Sequence, residues 1–252
     1  MIRVGVLGAG GRMGAEVCRA VAAAEDLELV AAVDPDHAGE QAEGSRIQPS
    51  IGSMADASVA VDFTHPSSVI ANVRWCLERG VHAVVGTTGI TPQGLDELRA
   101  LTGSGPANCV VAPNFALGAV LLMRFAAEAA RYFDAAEVIE MHHDGKADAP
   151  SGTALATARA IGQARDGGWS PPEAIGEHAG ARGADIDGVR VHAVRLPGLV
   201  AHQEVVFGGP GQVLSVRHDA LDRTAFMPGV LLAIRAVADR PGLTVGLDAL
   251  LD

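Results

Sequence analysis

Short apolar runs alternate with amphipathic stretches through the first half of the chain. Ile2–Leu7, Leu27–Val33 and residues 59–63, 82–86 and 109–112 are runs of strand length. Between them lie helical patterns: Val17, Ala20, Val21 and Ala24 on one face, then residues 66–80 and 92–102. Unbroken apolar strands separated by helices predict a parallel, doubly wound sheet, because a strand covered on both faces has no polar side to alternate with. A long apolar helix over 115–133 follows, and the pattern then changes. A strand over 135–143, a helix from Ser151 to about Ala164, and three closely spaced strands over 189–196, 201–207 and 212–218 predict a mixed or antiparallel sheet in an α+β domain. Residues 166–188, rich in glycine, proline and charge, read as a long loop over the site. The last helix, 224–238, is assigned to the first domain. The expected organisation is therefore 1–116 with 224–252, and 117–223 as an inserted domain.

The turn after the first strand narrows the first domain's role. Gly8, Gly11 and Gly14 follow the strand and open the helix, in a G-x-x-G-x-x-G spacing. The second strand ends at Asp34, roughly twenty residues past Gly14, where a dinucleotide-binding βαβ unit places the acid that bonds the adenosine ribose. Ligands of such sheets bind beyond the carboxyl ends of the strands. Residues 62–64, Gly86, Thr87 and Thr88, and Ala112, Pro113, Asn114 and Phe115 are accordingly the expected lips of a cofactor crevice.

The densest chemistry lies between Glu140 and Ala154: two adjacent histidines, His142 and His143, Lys146, and a Pro150-Ser151-Gly152-Thr153 turn that opens a helix. On a strand, successive side chains diverge, so His142 and His143 are not expected to grip one ion, and no metal is expected. The helix start offers capping hydroxyls and unpaired N–H groups, with the dipole favouring an anion such as a carboxylate. Lys146 adds a positive charge. Proton-transfer groups, a cation and N–H donors together suit an anionic substrate.

The 252 residues carry 48% hydrophobic and 19% charged side chains, ordinary for a globular protein with a sizeable core. A net charge of -11 argues against nucleic-acid or anionic-membrane surfaces, so an anionic ligand must be met by local positive charge. Cys18, Cys76 and Cys109 form no paired motif and sit in apolar contexts, which predicts buried thiols in a reducing compartment. With no leader-like segment and no run long enough to span a bilayer, a soluble, cytoplasmic protein is expected.

With these residues in view, the whole chain resembles the dihydrodipicolinate reductases, also called 4-hydroxy-tetrahydrodipicolinate reductases, of lysine and diaminopimelate biosynthesis. The most specific element is Glu140-x-His142-His143-x-x-Lys146-x-Asp148-x-Pro150-Ser151-Gly152-Thr153-Ala154, supported by the glycine turn from Gly8 to Gly14, Asp62-Phe63-Thr64, Gly86-Thr87-Thr88-Gly89 and Asn114-Phe115. The resemblance implies a Rossmann-like domain completed by the C-terminal helix, with an inserted substrate domain whose sheet builds a homotetramer. It implies NADH or NADPH as cofactor, held by Gly8, Ala9, Gly10, Gly11, Arg12, Met13, Asp34, 86–88 and 112–115. It makes His142 the general acid or base, Lys146 a proton donor, His143 a substrate ligand, and the Ser151-Gly152-Thr153 turn the site of a carboxylate on a small cyclic dicarboxylate. Pro35 follows Asp34 where some members carry a basic residue for the 2′-phosphate of NADP, so both cofactors stay open. Two other readings of the residues remain: another NAD(P)-dependent dehydrogenase of amino-acid metabolism, and a dinucleotide sensor without turnover.

Overall fold

The computed structural model describes residues 1–165, 169 and 178–251. Two compact units emerge, Met1–Phe115 with Phe226–Asp252, and Ala116–Ala225. In chain order the first unit runs β1 (Ile2–Leu7), α1 (Arg12–Ala23), β2 (Leu27–Val33), a small hairpin of β3 (Gln41–Ala42) and β4 (Ser45–Arg46), β5 (Val59–Asp62), α2 (Val69–Leu77), β6 (His82–Val85), α3 (Pro92–Ser104) and β7 (Cys109–Val111). The second contains α4 (Leu117–Ala129), β8 (Ala135–His142), α5 (Gly152–Ala164), β9 (Ala184–Ile186), β10 (Val189–Arg195), β11 (Ala201–Gly209) and β12 (Gln212–Ala220). The chain then returns to the first unit with α6 (Met227–Ala236) and β13 (Leu243–Val245).

The first unit's sheet has the order β13-β7-β6-β5-β1-β2, and every neighbouring pair is parallel. Its central strand β5 is buried from Val59 to Asp62, and β1 and β6 are buried over their last residues, which is why they read as apolar runs. β1 lies between β2 and β5, so the strand order reverses around it, and the glycine turn sits at the point where open α/β sheets hold ligands. α6 packs against α1, and Arg235 forks onto Asp26 with two bonds of 2.8 Å.

The second unit's sheet has the order β12-β11-β8-β10-β9, with β8 and β10 parallel and the remaining pairs antiparallel. Leu122 and Ala126 of α4 and Ala158 and Ile161 of α5 pack on Val138, Val191 and Phe207 of the sheet. A Rossmann-like parallel sheet and a separate mixed sheet are thus both present.

Several boundaries differ from the sequence reading. α2 starts only at Val69, because Ser68 and Val69 first close a turn on the His65 carbonyl, and it stops before Gly80, whose positive φ of 77° ends the helix. The last helix is interrupted: Arg223–Phe226 is a 3₁₀ turn, and α6 begins at Met227 with Pro228 in its first turn. Of the expected loop over 166–188, residues 166–168 and 170–177 lie outside those described. The rest holds a 3₁₀ turn, Ala179–Arg182, and β9 paired antiparallel with β10. Three-residue strands such as β9 and β13 are too short to carry a hydrophobic period.

Candidate active site

β8 alternates strictly, and Ala136, Val138 and Glu140 share its buried face. Glu140 is 0% exposed, so its charge must be compensated from within. Arg195 donates Nη1 to Oε2 at 2.9 Å and Nη2 to Oε1 at 2.8 Å, and the Ser151 N–H donates to Oε1 at 3.0 Å. His142, two residues on and therefore on the same face, sets its Nδ1 2.5 Å from Oε2. The parallel register of β8 and β10 pairs Arg195 with His142 and brings the guanidinium to this point. Arg195 also donates to the Lys146 and Asp148 carbonyls, at 3.2 and 2.6 Å, and so folds the loop after β8 onto the strand ends.

Burial alone would raise the Glu140 carboxyl, but hydrogen bonds from Arg195, His142 and Ser151 outweigh it and hold the group below the ordinary carboxylate range. Burial pushes the His142 imidazole below its usual value. Glu140 pulls it up, and the charges of Lys146 and Arg195 add to the fall.

β8 ends at His142 rather than 143. His143 begins the turn, is exposed, and accepts the Lys146 N–H on its carbonyl at 3.1 Å, so the two imidazoles do diverge. Lys146 is not an unpaired cation: its Nζ meets both Asp148 oxygens at 2.8 Å. Ser151 caps α5, its Oγ accepting the Ala154 N–H at 3.2 Å, while its own N–H serves Glu140. Gly152 and Thr153 then form the first helical positions, and among the described residues the exposed Gly152 N–H has no acceptor.

In the first unit Gly8 takes φ of 80°, and Gly14 packs so close that a Cβ there would stand 1.9 Å from the Gly8 carbonyl oxygen. The N–H groups of Gly8, Ala9, Gly10 and Gly11 are taken by the Val33 carbonyl, the Asp34 carboxylate and the Gly8 carbonyl, so what the turn presents is an α1 N-terminus without a side-chain cap or first-turn acid, which fits a pyrophosphate. A cavity of about 650 Å³ opens beside it, lined by Gly8, Gly11, Asp34, Phe63 and Thr64 among others. Asp34 is held by the Gly10 N–H at 3.1 Å and the Asp36 N–H at 3.1 Å. Ala9 is buried under the turn, Arg12 is exposed and Met13 half-buried at the start of α1.

The remaining cofactor candidates lie past β6 and β7. Gly86 underlies the Phe63 ring, where a Cβ would stand 2.1 Å from Cε1. Thr87 is buried and turned inward, its Oγ1 donating to Asp62 Oδ1 at 2.7 Å, whereas Thr88 is exposed. Asp62, itself 1% exposed, also accepts from Thr64 and Asn72, so one carboxylate braces the ends of β5 and β6. Ala112 and Phe115 are buried, Phe115 with its ring 5.9 Å from Phe63, while Pro113 is exposed and Asn114 half-buried. Burial raises the Cys18 and Cys76 thiols to about 12 and pushes Cys109 up as well, so none is a nucleophile. Among the described residues no helix is long and apolar enough to cross a membrane.

Two family models tile the chain. Dihydrodipicolinate reductase, N-terminus, matches residues 2–115, and dihydrodipicolinate reductase, C-terminus, matches 118–251. The chain belongs to the dihydrodipicolinate reductase family. A 4-hydroxy-tetrahydrodipicolinate reductase of Nocardia farcinica is 56% identical over 100% of this chain and 99% of its own. One from Mycolicibacterium vanbaalenii is 53% identical over the same shares. The solved dipicolinate-bound dihydrodipicolinate reductase from Paenisporosarcina sp. TG-14 superposes with a TM-score of 0.88 at 41% identity, covering 99% of each chain.

Two residues were missed as site candidates, Glu140 and Arg195. Glu140 carried a signal: an acid in phase with the buried apolar Ala136 and Val138 on one face of the strand. Arg195 carried none, since only the register of two parallel strands brings it there.

Proposed function

We propose that this chain reduces 4-hydroxy-tetrahydrodipicolinate to tetrahydrodipicolinate, with one hydride and one proton taken up and water lost. The observation that carries this reading, beyond family membership, is the joining of His142, Lys146 and the start of α5 around one buried carboxylate. A sensor without turnover has no use for that arrangement.

NADH or NADPH supplies the hydride when bound. Gly8, Ala9, Gly10, Gly11, Arg12 and Met13 would hold its pyrophosphate, Asp34 its ribose, and 86–88 with 112–115 the remainder. His142 receives and releases the proton at Nε2, since Nδ1 faces Glu140. Lys146 exchanges Asp148 for the substrate and serves as second donor. His143, Ser151, Gly152 and Thr153 bind and orient the dicarboxylate, Ser151 by fixing the turn rather than by contact, so that binding energy becomes alignment of the reacting carbon.

A homotetramer built through the second unit's sheet belongs to the same reading. Val213 and Leu214 on β12, 71% and 38% exposed, are apolar side chains that a partner would cover. A cytoplasmic location goes with it. The test is loss of nicotinamide absorbance when the purified protein meets enzymatically generated substrate, with each dinucleotide in turn and with dipicolinate as competitor. Light scattering reads the tetramer. No substrate-dependent oxidation with either cofactor would reject the reading.

A further inference from the structure

We propose that Glu140 is the positioning residue of the second unit, one carboxylate that sets the tautomer of His142 and the start of the substrate-binding helix together. This deepens the reading of His142 as proton donor and rests on it.

A carboxylate has about four lone-pair sites, and here four donors fill them. Oε1 takes Arg195 Nη2 and the Ser151 N–H, and Oε2 takes Arg195 Nη1 and His142 Nδ1. Bonded in this way the group is ionised and accepts only, so the hydrogen between the two side chains belongs to Nδ1. In the neutral ring Nε2 then carries the lone pair, and the ring cannot rotate without abandoning a contact of 2.5 Å. When Nε2 is protonated, the imidazolium meets a fixed anion.

A structural pair would not need this geometry. A buried carboxylate bonded twice to arginine is already neutralised, and such pairs add little stability over apolar residues of similar volume. The remaining sites could have gone to any backbone N–H. They go instead to the proton donor and to the N–H of the residue that caps α5, while the same guanidinium holds the carbonyls of Lys146 and Asp148. A displacement of Glu140 therefore moves donor, cation loop and anion-binding turn as one.

The charged groups facing His142 are Glu140 on its own strand, Arg195 on β10 and Lys146, paired with Asp148, on the following loop. On β11 the residue opposite Glu140 is the uncharged Gln203, engaged with Thr157 at 2.8 Å. Glu140 is the group in this set that raises the imidazole's proton affinity.

The test reads His142 by ¹⁵N NMR in the protein free of substrate and cofactor, in wild type and Glu140→Gln. The expected wild-type tautomer is Nδ1–H. In Glu140→Gln that tautomer loses its dominance, the titration moves to lower pH, and kcat falls roughly 10²-fold or more while the dinucleotide Kd is unchanged. A wild-type ring protonated on Nε2 overturns the proposal even if the variant fails to fold. So does a folded Glu140→Gln with unchanged tautomer, titration or kcat. Failure of the underlying reading looks different: His142→Ala would keep a normal kcat.

Discussion

His37 lays its ring against Gly10 of the glycine turn and sets Nδ1 3.2 Å from the Asp34 carboxylate. The two are close enough for an ion pair but not aligned as a hydrogen bond. Asp34, with Glu40 and Asp36 adding, holds the imidazole above its usual value. Asp34 alone favours the free ribose hydroxyls of NADH and repels a 2′-phosphate, while Arg12, exposed at the start of α1, offers a compensating charge. These effects oppose one another, so kcat/KM for NADH and NADPH should agree within about tenfold, roughly 1.4 kcal/mol, near neutral pH. Arg12→Ala should swing the preference toward NADH.

A cation at His37 offsets Asp34, so the ratio of NADPH to NADH affinity should rise as pH falls through the imidazole's titration. The 2′-phosphate itself gains a proton near pH 6 and shifts the ratio too. Fluorescence titrations with both dinucleotides, in wild type and His37→Gln, separate the contributions. Equal pH slopes in the two proteins would remove His37 from cofactor choice.

Lys146 faces a competitor already in place. His142→Ala and Lys146→Ala should each lower kcat by roughly 10²- to 10⁴-fold with dinucleotide affinity nearly unchanged. Asp148→Asn should act the other way on binding, because both Asp148 oxygens hold the Lys146 ammonium that the substrate must win. Exposed ion pairs of this kind are worth about 0–1 kcal/mol, so a gain of up to about fivefold in dipicolinate affinity is expected. Calorimetry with dipicolinate checks it, and weaker binding in Asp148→Asn would mean that the acid holds Lys146 in its working position.

The parallel sheet was legible because its strands are buried on both faces and leave unbroken apolar runs. β13 and the β3–β4 hairpin were not, since three or two residues show no period. The site divides in the same way. His142, Lys146 and Ser151 to Thr153 lie within a dozen positions, so their chemistry could be read together. Arg195 lies 55 positions from Glu140 and enters only through β8–β10 pairing, and the bracing of Asp62 by the Thr87 hydroxyl likewise depends on the pairing of β5 with β6.

Gly152 offers a clean probe of the anion site. It is the first helical position, where proline costs little because its N–H has no intrahelical partner. Ser151 before it has ψ of 154°, the extended conformation that precedes proline readily, and a Cβ on Gly152 would meet nothing within 4 Å. Gly152→Pro therefore removes one donor and little else. KM should rise about tenfold, the scale of one hydrogen bond to a charged group, with the melting temperature unchanged. An unchanged KM in a stable variant would place the substrate carboxylate elsewhere.

The pair between Asp26 and Arg235 joins residues 209 positions apart and ties the returning C-terminal helix to the loop before β2. Arg235 lowers the Asp26 carboxyl to about 2, chiefly by hydrogen bonding. A depressed carboxyl contributes stability that is full above its unfolded value, near 3.8, and is lost as pH falls through about 2. Both side chains are about half exposed, at 45% and 52%, so solvent and salt screen the contribution. Arg235→Ala should lower the melting temperature slightly at neutral pH and low salt. The gap to wild type should close both below pH 2 and in about 1 M salt, where the screening length is near 3 Å. A gap that persists under both conditions would show that Arg235 acts by packing its aliphatic stem rather than by its charge.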